Sequence, residues 1–231
     1  MAIMQIGPPR TGGGLAAGAA LAVLTGAVSM AGTLVATPGP WIRGYVSETG
    51  TADQPFAAAY AVGGFALALG VALLGACLAP LARAAAALLA VAASMAAVSA
   101  AVPCSAGCPL PPYEAFTVAD LVHTGAAMIG LAAVFVAMVT MAISVAVPPW
   151  QRRWAGGFAV AMLPLAVTEG LGMLLVGRGT LTAVVERVLL TVTACWLLGA
   201  AGLAAGSARM GPAGPAGWEI SRRRHRPGGT P

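Results

Sequence analysis

The chain has 231 residues, of which 59% are hydrophobic and 8% charged, with a mean hydropathy of +0.88. That balance cannot cover a water-soluble surface and places the protein in a membrane. Its net charge of +5 comes from twelve arginines and no lysine against seven acids, and five of the arginines lie in the last 25 residues. The basicity therefore reports a tail. Without interleaved aromatics or a folded basic module, nucleic-acid binding is not expected.

The first apolar run, Gly14 to Pro38, follows a short segment carrying Arg10. It exceeds the roughly 7 to 15 residues of a signal-peptide core and matches the roughly 20 of a spanning helix, so an uncleaved first helix is expected. Loop one, Gly39 to Phe56, reads GPWIRGYVSETGTADQPF, and a second run follows from Ala57 to Ala79. Pro80 to Arg83 reads as a tight basic turn. The third run, Ala84 to Val102, is mostly alanine, which gains little from lipid and is expected inside the bundle, where small side chains let backbones approach.

The segment PCSAGCPLPPYEAFTVADLVHTG, Pro103 to Gly125, concentrates two cysteines, four prolines, two carboxylates and the only histidine outside the tail. Helix four is expected from about Val118 to Val147, then a turn PPWQRRW with Trp150 and Trp154 around Arg152 and Arg153, as at a headgroup boundary. Helix five is expected from about Ala155 to Val176 and helix six from about Val184 to Gly206, joined by GRGTLTA. This gives an all-α, six-transmembrane-helix bundle over residues 14–206, between a cytoplasmic N-terminal segment 1–13 and a disordered basic cytoplasmic tail 207–231.

Six spans put both termini on one side. Nine arginines (Arg10, Arg83, Arg152, Arg153, Arg209, Arg222, Arg223, Arg224 and Arg226) share that side, against Arg43, Arg178 and Arg187 opposite. An excess of arginine marks the cytoplasmic face, so both termini are expected in the cytoplasm. Loop one, the cysteine loop and the turn between helices five and six then face outward.

Cys104 and Cys108 fall in that outward loop, in an oxidising place, where a disulfide is the natural expectation. Two cysteines without a nearby CxxC partner or several histidines fall short of a metal's four ligands. Cys77 and Cys195, within helices, read as small apolar fillers.

Asp120 and His123 stand three apart at the start of helix four and share a face. A carboxylate orienting an imidazole is one reading. The other is a capping box, Thr117-Val118-Ala119-Asp120, which accounts for Asp120 but gives His123 no task. Glu169 lies inside helix five, about 10 Å below its outer end by helical rise. An acid at that depth must face the bundle or a wet cavity, protonated or partnered, and is a functional-site candidate by default; a structural pair with Arg187 is the alternative. Glu186 and Arg187 open helix six about 100° apart, so one is expected inward and the other at the interface, with Arg187 the inward one. Glu48, in YVSETG, is either a solvated loop residue or a further member of this group. All six map to the outer third of the membrane.

The outward YVSETG, the CSAGCPLPPYE segment leading into DLVH, and the ER opening helix six resemble the domain of unknown function 998 family of bacterial membrane proteins, in an actinobacterial form. The resemblance covers about residues 14 to 206. It implies an integral membrane protein without an assigned activity, with signature residues at Ser47, Glu48, Gly50, Asp120, His123, Glu186 and Arg187. The first loop is also similar to that of autophagy-modulator six-helix proteins. An analogy to membrane hydrolases that bind zinc between helices fails on ligands, because those sites use three histidines and one is available here.

Three functions follow as expectations: binding or transport of a lipid headgroup or small polar ligand in an outward pocket lined by Glu169, His123 and Arg187; a structural or regulatory subunit, as a homo-oligomer or with a partner membrane protein; or a hydrolase of outer-leaflet lipid with His123 as base. No phosphate loop, nucleophilic serine motif or metal cluster supports the last, and no cofactor is expected. A bacterial cytoplasmic membrane is the expected location.

Overall fold

The computed structural model describes residues 11–37 and 44–210. Arg10, Arg43 and the tail from 211 lie outside the described residues. Regular structure within them is entirely helical: α1 (Thr11–Ala36), a 3-10 turn (Val46–Gly50), α2 (Ala57–Leu78), α3 (Arg83–Ala101), α4 (Val118–Ile143), α5 (Pro149–Leu175) and α6 (Thr180–Met210). Each of the six α-helices is long and apolar enough to cross a membrane. The chain is therefore an all-α protein with six membrane-spanning helices.

Each helix packs along its sequence neighbours, and α6 returns to pack on α1, so the six close into a ring. The short connections after α2, α4 and α5 make those neighbours adjacent and antiparallel, since a tight turn can join no others. One half of the ring is filled solid. Val23, Leu74, Leu89, Met138, Met162 and Trp196 are all buried there, at the end that holds the start of α1, the end of α6 and the α2–α3 and α4–α5 turns. In lipid such packing gains dispersion contacts rather than a hydrophobic transfer term.

Glycines set the tightest approach. A Cβ on Gly26 would stand 2.7 Å from the Gly63 carbonyl oxygen, and one on Gly63 would stand 2.9 Å from the Ser29 Cβ. The α1 and α2 backbones touch, and the Ser29 hydroxyl donates across to the Ala59 carbonyl at 2.8 Å.

Three local expectations are corrected. The alanine-rich α3 is not the most buried helix, because a ring has no inside helix; α2 is, since it packs on α1, on α3 and partly on α6 across the ring. Nor is PPWQRRW a turn. Pro149 opens α5 at its first position, where a proline needs no N–H partner and presets φ. The reversal lies in residues 144–148, Arg152 donates from Nε to the Ala142 carbonyl at 3.0 Å, and Trp154 packs 4.6 Å from the Phe158 ring centroid. Helix α6 likewise runs to Met210, past the expected end at Gly206.

Candidate functional site

The other half of the ring is hollow. Between the end of α1, the start of α2, the end of α3, the start of α4, the end of α5 and the start of α6 lies a cavity of about 820 Å³. That is within the roughly 300–1,000 Å³ of small-molecule sites. Its floor is the packed half, through Met162, Val134 and Leu197. Its roof is Tyr45, Val46 and Ser47 of loop one with Cys108 and Leu110 of the cysteine loop. The walls are otherwise mainly alanine, glycine, leucine and methionine, so the few polar groups that reach them stand out.

Glu169 is one of these. It shares the inward face of α5 with Ala155, Ala159 and Met162, the spacing of seven from Met162 returning it to the same side. It is 7% exposed, and neither carboxylate oxygen has a hydrogen-bond partner among the described residues. The alternative of a pair with Arg187 is not what the geometry gives, since neither Glu169 oxygen has a partner among the described residues, while the Arg187 guanidinium donates to the Gly44 carbonyl. Glu186 accepts from the Val46 amide at 2.9 Å through Oε2 and lies within electrostatic reach of Glu169, Arg187 and Glu48. Both Glu186 and Arg187 line the cavity, so the expected split between an inward and an interfacial residue does not occur. Both also bond loop one, Glu186 through the Val46 amide and Arg187 through the Gly44 carbonyl.

His123 also lines the cavity and is 4% exposed. Its Nδ1 donates to the carbonyls of Ser99 at 2.8 Å and Val102 at 2.9 Å. Those carbonyls close α3, whose last four C=O groups have no partner within the helix. Carbonyls only accept, so Nδ1 carries a proton. The task that sequence alone could not find for His123 is thus, in part, to cap the preceding helix.

Asp120 stands off the cavity wall. Thr117 is the N-cap of α4, and the full capping box is present: the Asp120 carboxylate accepts from the Thr117 amide and hydroxyl, each at 2.7 Å. It also accepts from the Ser105 amide at 2.7 Å and the Ser105 hydroxyl at 2.9 Å. Fully occupied at 1% exposure, it fixes the cysteine loop to the start of α4. Within that loop the Cys104 and Cys108 sulfurs are at bonding distance, with Cα atoms 5.1 Å apart, inside the range that a disulfide spans.

Glu48 is also off the cavity wall, and its partner was not legible beforehand. Arg178, in the α5–α6 turn, forms an ion pair with Glu48 of loop one and, at 3.4 Å, a second with Glu114 of the cysteine loop. Its guanidinium also stands 5.6 Å over the Tyr45 ring. One cation therefore clasps the three loops that roof the cavity. Sequence reasoning placed Arg178 only as an outward arginine; the available signal was that loop one and the cysteine loop each offer carboxylates to a side otherwise poor in arginine. Gly107 makes room for it: at φ +82°, it presents no side chain where a Cβ would meet an Arg178 nitrogen at 3.2 Å. The Tyr45 hydroxyl donates to Thr182 Oγ1 at 2.8 Å, and burial pushes this phenol above its usual pKa.

Among the described residues, no group of three or more His, Cys, Asp and Glu gathers to hold a metal ion. The site is an apolar chamber with a carboxyl-bearing wall and a tied roof. No curated protein and no solved structure matches the chain. Residues 15–204, which cover all six helices of the ring except the first turn of α1 and the last residues of α6, match the family model described as Protein of unknown function (DUF998), and the chain belongs to that family.

Proposed function

We propose that this protein binds an amphiphile, a lipid or lipid-like molecule, in the hollow half of its ring, with the headgroup at Glu169 beneath the roof and the hydrocarbon against the alanine and methionine walls. The observation that carries this reading is Glu169: a buried carboxyl without a donor among the described residues, in a mainly apolar cavity, is costly to maintain unless something completes it. The arginine distribution supports an outward-facing roof and cytoplasmic termini in a bacterial cytoplasmic membrane. In that compartment the Cys104–Cys108 pair would be oxidised and would stiffen the roof.

Delipidated protein tests it. A ligand that binds only the folded state raises the melting temperature with its concentration. Wild type should rise on adding lipid and Ala127→Phe, which fills the cavity, should not. Equal shifts in both would refute the reading. A second reading, a structural or regulatory subunit held by interhelical ion pairs, draws on the Arg178 clasp, which ties loops together with no ligand. It leaves Glu169 unexplained, since that carboxyl takes no part in the clasp.

A further inference from the structure

We propose that the occupant is a lipid with a primary-amine headgroup, of the phosphoethanolamine type, whose ammonium is held by Glu169 beside Glu186. This rests on the amphiphile reading above and specifies its headgroup.

The two carboxyls come from neighbouring helices, α5 and α6, and lie within electrostatic reach of each other. Glu186 has one oxygen engaged by the Val46 amide. Glu169 has neither engaged among the described residues. What such a pair lacks is a compact group with several donors and a positive charge. An ammonium has three donors and no acceptor, and charge-assisted bonds of that kind are the strong ones. An anionic headgroup would meet two carboxyls at the same place, and a quaternary ammonium would bring charge but no N–H.

Beside this pair, Arg187 carries the opposite charge on the same wall. A phosphoethanolamine is a zwitterion, with its ammonium two carbons from its phosphate. The arrangement of Glu169 and Glu186 next to Arg187 matches that order of charges.

Hydrocarbon can leave the chamber sideways. Met128 on α4 and Leu163 on α5 line the cavity yet are 57% and 51% exposed, and α4 against α5 is the least extensive contact in the ring. On the opposite side, Val28 of α1 lines the cavity at 61% exposure. The chains of a membrane lipid need not be wholly enclosed, and so the headgroup decides selectivity.

The test is competition on the full-length protein. Delipidated wild type is incubated with equimolar phosphatidylethanolamine, phosphatidylcholine and phosphatidylglycerol of identical chains, and the retained lipid is read by native mass spectrometry. Phosphatidylethanolamine should be retained at least about tenfold over either competitor, the scale of one charge-assisted hydrogen bond. Glu169→Gln should bring the ratio near parity. The wild-type headgroup series needs no variant, so it decides the matter even if Glu169→Gln folds poorly. Lipid retained with no headgroup preference, or a preference for phosphatidylglycerol, overturns this inference and leaves the amphiphile reading standing. No lipid retained from any of the three overturns both.

Discussion

The Arg178 guanidinium pairs with the Glu48 carboxylate across 130 positions of sequence. With Glu114 as its second partner, this contact joins all three loops over the cavity. The side chains are roughly a quarter to two-fifths exposed, and partly exposed ion pairs contribute about 0.2–1 kcal/mol each. Arg178→Ala should therefore lower global stability by about 1 kcal/mol or less, yet speed hydrogen exchange in loop one and the cysteine loop together. If only one loop loosens, the clasp is not the shared tie.

Asp120 should matter far more to stability. Four donors converge on its carboxylate at 1% exposure, and buried donors left unmade cost about 1–3 kcal/mol each before relaxation. Asp120→Ala should destabilise by about 3 kcal/mol in a detergent denaturation series and Asp120→Asn by less, because the amide keeps one acceptor. Lipid retention by the folded fraction should not change, as the side chain is off the cavity wall. Loss of lipid at wild-type stability would move Asp120 into the binding site.

The glycine of SETG is fixed by a ring. A Cβ on Gly50 would stand 2.2 Å from Tyr60 Cδ1, and Tyr60 is buried under loop one. Gly50→Ala should destabilise by about 1–3 kcal/mol, the range for overpacking. Adding Tyr60→Leu should recover part of that loss, so the double variant falls short of the sum of the singles. Strict additivity would show that the contact is not the cause.

The cysteine pair gives a direct chemical readout. Alkylation of unreduced, denatured protein should modify Cys77 and Cys195 alone, with Cys104 and Cys108 reacting only after reduction. A loop of five residues limits the chain-entropy contribution to about 2 kcal/mol, so Cys104→Ser with Cys108→Ser should fold and insert. Four reactive thiols before reduction would show that the pair is free.

Much of this was legible because it is local or because lipid makes polarity expensive. Thr117 and Asp120 lie within one helical turn, so their capping box could be read from spacing. Glu169 announced itself as an acid deep within an apolar run. Glu186 and Arg187 were found for the same reason, but not their joint place on one wall, which depends on how α6 turns against loop one. The role of His123 at the end of α3 and the partners of Arg178 could not be read, since their contacts span 21 to 130 positions. The cavity was anticipated as a pocket, but its form follows from ring closure by α6 on α1. No property of α3 taken alone could show that the bundle has no inside helix.

The central claim is that the hollow half of the ring is occupied. Native mass spectrometry of the protein extracted from its own membrane, at activation that strips loosely held lipid, tests this most directly. Wild type and the lipid-face control Val160→Phe should retain one lipid mass per chain, and Ala127→Phe should fly bare. A bare wild type, or equal retention by Ala127→Phe, would contradict the account.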